Sequence, residues 1–367
     1  MRKKKISKER VIIALSGGVD SSVAALLLKQ QGYNVIAAFM KNFSDTKNHL
    51  TNECLWIEER EMAKRISSIL KIPFYTFDFE KEYKSLIIKK MFADYKSGIT
   101  PNPDISCNTI IKFPLFWEKA KKLKADFIAF GHYARIKKTR NGYQLLQGKD
   151  KKKDQSYFLS GLSQEDLSHT IFPLGNYTKE KVRQIAEKNN FPNWNKSSTK
   201  GICFVGKIDM HSFLKKKIKE KNGLVLDPEG NVIGKHKGIF YFTIGQKIGN
   251  NSRIKIIKTL GNQQKKWYVA EKSENSIVAA PENHPVLKKS QVIIKKLHLI
   301  NPNEKIPNQL KARIRHLGKL NSGKLVKKRN KYSFIFSKPL ESVAEGQSLV
   351  LYCKERLIGS GEIEKTF

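Results

Sequence analysis

Acidic residues are scarce in this chain relative to basic ones, and long apolar runs are missing. The 367 residues include 70 Lys and Arg against 33 Asp and Glu, for a formal net charge of +37. No apolar run approaches the roughly 20 residues that a membrane-spanning helix needs, and no apolar signal segment follows the basic N-terminus. We therefore expect a soluble, cytoplasmic protein with no membrane partner. A polyanionic partner and a lysine-rich proteome would each explain the charge.

Cysteine is also sparse, and its spacing disfavours the simplest uses of the residue. The four cysteines are Cys54, Cys107, Cys203 and Cys353, and none of them belongs to a CxxC pair. This spacing gives a zinc site little support, and structural disulfides are not expected in a cytosolic protein. A buried, inert thiol is the default interpretation of each cysteine, so only the neighbouring residues can favour chemistry.

The first half of the chain alternates short apolar runs with segments of helical periodicity. The apolar runs predict strands at Val11–Ser16, Asn34–Met40, Pro73–Phe77 and Phe127–Phe130. The intervening patterns predict helices at Ser21–Lys29, Asn52–Leu70, Glu80–Tyr95 and Thr109–Leu123. This alternation is typical of an α/β domain with a parallel sheet, in which ligands bind beyond the carboxyl ends of the strands.

The second half of the chain has a different pattern, with short strand-like runs and turns after about residue 205. We predict an α/β catalytic domain over residues 1–205 and two smaller, mainly β domains after it. The central β-rich domain covers residues 206–285, and the last domain, a β-barrel, covers residues 286–367. Between two predicted strands, Asn250–Gln264 is polar, basic and too long for a tight hairpin, which predicts a mobile loop.

A short glycine-containing loop, Ser16–Ser21, separates the first predicted strand from the first predicted helix. Backbone N–H groups at a helix N-terminus favour a bound anion, and Gly17 and Gly18 leave room for phosphate. Asp20 would repel phosphate, so it is a candidate helix N-cap or a ligand for Mg²⁺. A bare Gly-Gly pair is usually an ordinary turn, but the full sequence between a strand and a helix favours a phosphate site.

Two of the cysteines stand beside residues that favour chemistry. A helix that starts near Asn108–Thr109 would place Cys107 at a helix N-terminus, where the pKa of a thiol falls. Asp104 lies three residues before this cysteine and is a candidate general base. Lys200 lies three residues before Cys203 and favours its thiolate form. A buried structural thiol remains the alternative for each.

These segments carry two resemblances. Ser16–Ser21 resembles the pyrophosphate loop, or PP-loop, of the N-type ATP pyrophosphatases, whose domains have an adenine nucleotide alpha hydrolase-like fold. A more specific resemblance covers about residues 14–352 and is to the bacterial and organellar tRNA-specific 2-thiouridylases. Its motifs in this chain are ALSGGVDSSVAA, FMKN, TPNPDISCN, IAFGHYARI, KDQSYFLSGL, FPLGNYTKEKVRQIAE, STKGICFVG, HKGIFYFTIGQKIG, WYVAEK, ARIRH and GQSLVLY.

The resemblance implies a tRNA-uridine 2-sulfurtransferase that uses ATP with Mg²⁺ and a persulfide sulfur donor or relay protein. The 2-oxygen of the wobble uridine would be adenylated with release of pyrophosphate. The residues that match the family's ATP site are Ala14, Leu15, Ser16, Gly17, Gly18, Val19, Asp20, Ser21, Met40 and Gly131. Cys203 would carry the persulfide, and Cys107 would be the nucleophile that forms a transient disulfide with it as AMP departs.

The same resemblance implies that the substrate is tRNA, in the family the isoacceptors for Lys, Glu and Gln. The residues expected at the target base are Asn102, Pro103 and Asp104. The residues expected elsewhere on the tRNA are His132, Lys153, Asp154, Gln155, Arg315, His316 and Gln347. Without the resemblance, each of these has an ordinary interpretation as a turn histidine, a solvated charge or a strand residue.

Two other classes of protein share some of these features. An amidating or ligating enzyme of the ATP pyrophosphatase class would use the same loop, but it has little use for paired cysteines and needs a source of ammonia. A non-catalytic RNA-binding protein with a vestigial nucleotide site would explain the charge alone. The intact loop and both cysteines favour the sulfurtransferase.

Overall fold

The computed structural model describes residues 9–44, 54–197, 209–249, 251, 253–256 and 266–367. Its α-helices are α1 Val19–Gln30, α2 Leu55–Leu70, α3 Glu80–Glu82, α4 Lys89–Lys96, α5 Pro103–Cys107, α6 Pro114–Lys122, α7 Gln164–Ser168, α8 Lys179–Lys188 and α9 Met210–Lys215. π-Helical turns cover Tyr83–Ile88 and Asn108–Lys112, and 3₁₀ turns cover Ser156–Leu159, Ile239–Tyr241 and Pro285–Leu287.

The strands fall into three groups along the chain. The first group is β1 Arg10–Ala14, β2 Asn34–Lys41, β3 Phe74–Asp78, β4 Phe127–Ala129, β5 Ala134–Thr139, β6 Gly142–Gln147 and β7 Thr170–Ile171. The second is β8 Gly223–Leu226, β9 Val232–His236, β10 Lys247–Ile248, β11 Ile254–Ile256, β12 Trp267–Lys272 and β13 Ser276–Pro281. The third is β14 Lys288–Leu299, β15 Leu310–Arg313, β16 Asn321–Lys328, β17 Lys331–Glu341, β18 Ser348–Cys353 and β19 Arg356–Thr366.

The N-terminal domain is built on a five-stranded parallel sheet of order β3-β2-β1-β4-β7. Its central strand β1 is buried on both faces, as Val11, Ile12 and Ile13 have no exposed surface. Continuous apolar runs of this kind are typical of parallel strands covered by helices. The predicted α/β domain with a parallel sheet is therefore confirmed. Among the described residues, no helix combines the length and the apolar character needed to cross a bilayer.

The central domain contains a six-stranded sheet of order β10-β12-β13-β8-β9-β11. Ile254–Ile256, within the segment predicted as a mobile loop, instead forms β11 and pairs antiparallel with β9. Ile254 supplies the reason, because its side chain packs in the apolar core of this domain. The remainder of that predicted loop lies mostly outside the described residues.

The C-terminal domain is a closed barrel, as predicted. Its six strands run in the order β14-β17-β16-β15-β18-β19, and β19 pairs back to β14. The β5–β6 hairpin of the N-terminal chain segment joins the same sheet, because β6 pairs with β19 through Leu145 and Leu146. The sequence analysis predicted neither this hairpin nor β16, whose three lysines hide its alternating pattern.

A fully buried ion pair fastens the barrel to the N-terminal domain. Asp154 Oδ2 lies 2.7 Å from Arg313 Nη1, and the two side chains are 0% and 8% exposed. The Asp154 carboxylate also accepts hydrogen bonds from Gln147 Nε2 and from the backbone N–H groups of Gly148 and Ser156. A buried charge held by so many donors is compensated only while its partners stay in place.

We expect Asp154→Asn to destabilise the protein by about 3–5 kcal/mol, because it leaves the Arg313 guanidinium buried without a counter-charge. The measurement is the urea midpoint of unfolding. The matched control is Glu355→Gln, which breaks exposed pairs with Arg135 and Lys151 and should cost less than about 1 kcal/mol. Equal losses in the two variants would contradict the structural role of the buried pair.

Lys272 lies where the central domain meets the other two. Its Nζ donates to the Phe242 carbonyl at 2.7 Å. Burial lowers the pKa of Lys272 from 10.5 to about 8, and Glu345 of the barrel opposes this shift. Between those two pH values the unfolded chain holds a proton that the folded chain has released, so folding becomes more favourable as the pH rises.

We therefore predict that the stability of the wild type relative to Lys272→Met rises between pH 8 and pH 10.5. Melting temperatures of both proteins across this range give the measurement. Lys41→Met is the control of opposite sign. Hydrogen bonds to Asp78 and Glu80 raise the Lys41 pKa above 10.5, so the advantage of the wild type over this variant should shrink above that pH. A flat difference for Lys272→Met would refute the burial of a poorly solvated amine.

Candidate active site

The loop between β1 and α1 has the geometry of an anion cradle. Gly17 has φ +73°, and a Cβ there would lie 2.4 Å from the Glu59 carbonyl oxygen. Gly18 caps α1 without a side-chain hydrogen bond, which leaves the N–H groups of the first turn for a ligand. Ser16 Oγ and Ser21 Oγ lie 3.1 Å apart on the same loop. Ser16, the outermost of these residues, is exposed.

Asp20 is not the N-cap of α1, because that position belongs to Gly18. Its Oδ1 instead accepts from Lys179 Nζ at 2.6 Å and from Tyr133 Oη at 2.7 Å. The ammonium of Lys179 offsets the carboxylate charge that would otherwise repel phosphate. The sequence reading missed Lys179 and Tyr133, since their only signal is inclusion in two motifs far along the chain.

The other residues assigned to the nucleotide lie around this loop. Gly131 lies just after β4. Its backbone is so close to α1 that a Cβ there would lie 2.9 Å from the Ser21 backbone nitrogen. Met40 lies near the carboxyl end of β2 and is buried. Asn193, also missed, donates to the Gly17 carbonyl at 2.9 Å and to Ser22 Oγ at 3.0 Å. These contacts fix the backbone of the loop from both sides.

Cys107 does not lie at a helix N-terminus. Helix α5 begins at Pro103 rather than near Asn108, because the Asn102 side chain accepts from the Ile105 N–H and proline is well suited to the first helical position. Cys107 is the last residue of α5, is fully buried and packs in the main apolar core. A π-helical turn over Asn108–Lys112 follows at once, a feature often found at functional sites.

The segment predicted at the target base opens α5. Asn102 Nδ2 donates to Tyr157 Oη at 3.4 Å, and Asp104 is half-buried in the first turn. Asn108 Nδ2 donates to the Asp104 carbonyl at 2.9 Å and ties α5 to the π-helical turn. Pro103, Asp104 and Cys107 therefore share one short helix, which Asn102 caps.

His132 follows Gly131 in the segment directly after β4. Its ring packs on Phe113 with the centroids 6.1 Å apart. Burial lowers the pKa of His132 well below 6.5, and the charge of Lys112 lowers it further. The imidazole is therefore neutral at pH 7, and its Nδ1 lacks a hydrogen-bond partner within the described part of the chain.

Of the three residues Lys153, Asp154 and Gln155, two have roles inside the fold. Asp154 has no exposed surface and holds the ion pair with Arg313 described above. Gln155 Oε1 accepts from the Tyr133 N–H at 3.0 Å, and the Gln155 N–H donates to the Tyr133 carbonyl. Tyr133, which bonds Asp20, is thus joined directly to the turn that leads to Tyr157.

The barrel contributes three of the predicted tRNA residues. Arg315 is exposed, whereas the His316 ring packs on Phe158 with the centroids 4.2 Å apart. Burial lowers the pKa of His316, and the negative charges of Asp154 and Asp104 oppose that shift. Gln347 donates to two backbone carbonyls of the N-terminal domain, at Thr100 and Pro101.

Contacts thus connect the anion loop to the Cys107 helix. Hydrogen bonds join Asp20 to Tyr133 and Tyr133 to Gln155, the backbone leads from Gln155 to Tyr157, and Tyr157 bonds Asn102. Cys203 lies outside the described residues, so a disulfide with Cys107 stays a prediction. Within the ranges that the structure describes, no group of three or more His, Cys, Asp and Glu residues could hold a metal ion.

We predict that Gly17→Ala destabilises the protein by roughly 1–3 kcal/mol and abolishes nucleotide binding, because alanine is strained at this φ and collides with Glu59. The matched control is Gly18→Ala, whose φ is −87° and whose nearest atom lies 3.4 Å away, so it should melt like the wild type. Thermal melting and ATP titration calorimetry provide the readouts. Indistinguishable melting of the two variants would argue against the loop geometry.

Comparisons with known proteins cover most of the chain. Family models described as tRNA methyl transferase HUP domain, tRNA methyl transferase PRC-barrel domain and Aminomethyltransferase beta-barrel domain match residues 9–207, 211–279 and 289–363. The solved structure of NMN synthetase from Francisella tularensis covers 53% of this chain and 67% of its own, with 18% identity and a TM-score of 0.34.

Curated relatives give much stronger matches. The tRNA-specific 2-thiouridylase MnmA of Karelsulcia muelleri is 42% identical, across 98% of this chain and 99% of that protein. The tRNA-specific 2-thiouridylase MnmA 1 of Geobacillus kaustophilus is 40% identical, across 98% of this chain and 96% of that protein. The chain belongs to the family of tRNA-specific 2-thiouridylases, as its sequence motifs predict.

Proposed function

We propose that this protein is an ATP-dependent sulfurtransferase that converts the wobble uridine of tRNA to 2-thiouridine. The observation that supports the proposal is the connection, by hydrogen bonds and one short backbone segment, between the loop Ser16–Ser21 and the helix that bears Asp104 and Cys107. An enzyme that first activates a base with ATP and then attacks it with sulfur needs these two sites side by side.

The anion loop would hold the phosphates of ATP, with Met40 and Gly131 near the adenosine. The residues fit this ligand, because no side chain caps the first turn of α1, and Gly17 and Gly131 approach their neighbours too closely for a side chain. The Lys179 ammonium, which bonds Asp20, would also donate a hydrogen bond to a phosphate oxygen. A Mg²⁺ ion on the nucleotide commonly takes one protein carboxylate, a role that Asp20 would fill.

The target base would lie against the first turn of α5. Asn102 and Asp104 offer an amide and a carboxylate for the polar edge of uracil, and Pro103 fixes the backbone between them. A stacked wobble base cannot reach such a site, so the uridine would have to flip out of the anticodon loop. Asp104 would receive or position a proton as the 2-oxygen attacks the α-phosphorus.

The proposed reaction has two stages, activation of the uridine by ATP and transfer of sulfur to C2. Uridine O2 bonds to the α-phosphorus of ATP as the bond to pyrophosphate breaks, which makes the oxygen a good leaving group. The Cys107 thiolate attacks the inner sulfur of a Cys203 persulfide, forms a Cys107–Cys203 disulfide and releases hydrosulfide. Hydrosulfide adds at C2 and AMP leaves. An external dithiol reduces the disulfide, and a persulfide donor recharges Cys203.

The tRNA body would extend from the base site across the barrel. Arg315 is exposed and Lys153 is half-buried, so both suit phosphate or base contacts, and the unpartnered Nδ1 of the neutral His132 suits one hydrogen bond. Asp154 is better suited to hold Arg313 and the neighbouring turn than to touch RNA, since its carboxylate has no exposed surface. The net charge of +37 would favour association with any polyanion.

The substrates that we propose are the tRNAs for Lys, Glu and Gln, the sulfur source is a persulfide-bearing relay protein, and the site of action is the cytoplasm. The first experiment incubates the protein with ATP–Mg²⁺, a persulfide donor and unmodified tRNA, followed by mass analysis of the nucleosides. We expect 2-thiouridine from the wild type. Cys107→Ser and Cys203→Ser should each abolish the product while the affinity for ATP stays within about twofold.

The matched controls are Cys54→Ser and Cys353→Ser, which remove thiols with no proposed role and should keep full activity. Pyrophosphate release that requires added tRNA separates this function from two others. A ligase for a small metabolite would release pyrophosphate without tRNA, and a non-catalytic RNA-binding protein would release none. Absence of 2-thiouridine in a wild-type reaction with all components would refute the proposal.

A further inference from the structure

The barrel loop that precedes β18 grips the backbone just upstream of α5. Gln347 Nε2 donates to the Thr100 carbonyl at 2.8 Å and to the Pro101 carbonyl at 3.0 Å. The Thr100 N–H donates in return to the Glu345 carbonyl at 3.4 Å. Gly346 has φ +83°, and a Cβ there would lie 2.1 Å from Ile99 Cγ2, so the two loops fit together only with glycine.

Ser348, the next residue of the barrel, is linked to the start of α5 through Tyr157. Tyr157 Oη donates to the Ser348 carbonyl at 2.9 Å and accepts from Asn102 Nδ2 at 3.4 Å. Asn102 in turn caps α5 through the Ile105 N–H. The barrel therefore fixes both the backbone that leads into α5 and the side chain that starts it.

The central domain meets the other two at the same place. Thr100 Oγ1 lies 3.3 Å from Thr243 Oγ1, so this single residue contacts all three domains. Beside it, a Cβ on Gly98 would lie 2.6 Å from the Ile239 side chain. Four residues after Thr100 the chain reaches Asp104, and three further on it reaches Cys107.

We propose that Gln347 is a positioning residue for sulfur transfer, whose side-chain amide holds the Thr100–Pro101 backbone and thereby sets the entry of α5. The inference rests on the proposed function and goes beyond it, because it gives Gln347 a task that exists before any RNA is bound. Both N–H groups of the amide serve carbonyls of the protein itself. A residue whose task was only to contact tRNA would have no need of this geometry.

The test compares Gln347→Met, which keeps the length of the side chain and removes both donors, with Gln291→Met, a half-buried glutamine of β14 in the same barrel. The rate of thiolation in a single turnover, at saturating ATP and tRNA, should fall roughly ten- to hundredfold in Gln347→Met, as expected for a small misplacement of reacting groups. The dissociation constant for tRNA should change by less than about twofold, as filter binding would measure. Gln291→Met should match the wild type in both.

A second readout needs neither tRNA nor activity. Hydrogen exchange of the peptide over residues 99–107 in the RNA-free protein should become several-fold faster in Gln347→Met, because the segment that pairs the Thr100, Ile105 and Ser106 amides with their acceptors is no longer held at Thr100 and Pro101. Gln347→Glu, which turns an acceptor toward the two carbonyls and stays polar, provides an independent variant if the methionine protein melts early.

The possible results distinguish a positioning role of Gln347 from a role as an RNA contact. A lower saturated rate together with faster exchange supports the positioning role. A weaker affinity for tRNA with an unchanged saturated rate and unchanged exchange would overturn it and leave Gln347 as an RNA contact. No change in any readout would overturn it as well. A wild-type protein that makes no 2-thiouridine would defeat the proposed function, while the exchange experiment would still decide whether Gln347 holds the loop.

Discussion

The carboxylate of Asp154 lies in the interior, where it pairs with Arg313 and accepts from the backbone at Gly148 and Ser156. This one charge fixes the turn between β6 and the Ser156–Leu159 segment. From that turn Gln155 reaches toward Tyr133 and the anion loop, and Tyr157 reaches toward α5. The Asp154 carboxylate therefore positions both halves of the site. Because water cannot solvate this charge, removal of its partner Arg313 would strongly destabilise the fold.

Local sequence patterns predicted much of the fold for a physical reason. Strands such as β1 and β2 are buried on both faces, so their apolar runs are unbroken and end at turn residues. The loop Ser16–Ser21 could be predicted as a turn between a strand and a helix because its conformation depends on residues that are adjacent in the sequence. β16 was missed because it exposes most of its residues and carries lysines along its length, which leaves a weak apolar alternation.

The contacts that escaped prediction join distant segments of the chain, although Gln347 itself was expected as a tRNA residue. Lys179 lies 159 positions from Asp20, and Gln347 lies 247 positions from Thr100. Nothing in the neighbouring sequence marks either pair. The prediction of where α5 begins was wrong for a local reason. Asn102 and Pro103 start the helix, whereas the prediction placed the helix start after Cys107. A capping asparagine followed by proline was the signal that should have decided the boundary.

The β5–β6 hairpin has a consequence for the autonomy of the domains. It leaves the parallel sheet after β4, docks its second strand on β19 of the barrel and returns to supply β7 of the parallel sheet. A catalytic module severed before the barrel would carry an orphan strand edge, and the Arg313 that neutralises its buried carboxylate would be absent. If relatives exchanged the barrel as a module, the hairpin and β19 would therefore have to change together. The two strands that pair would be inherited as one unit rather than as independent parts.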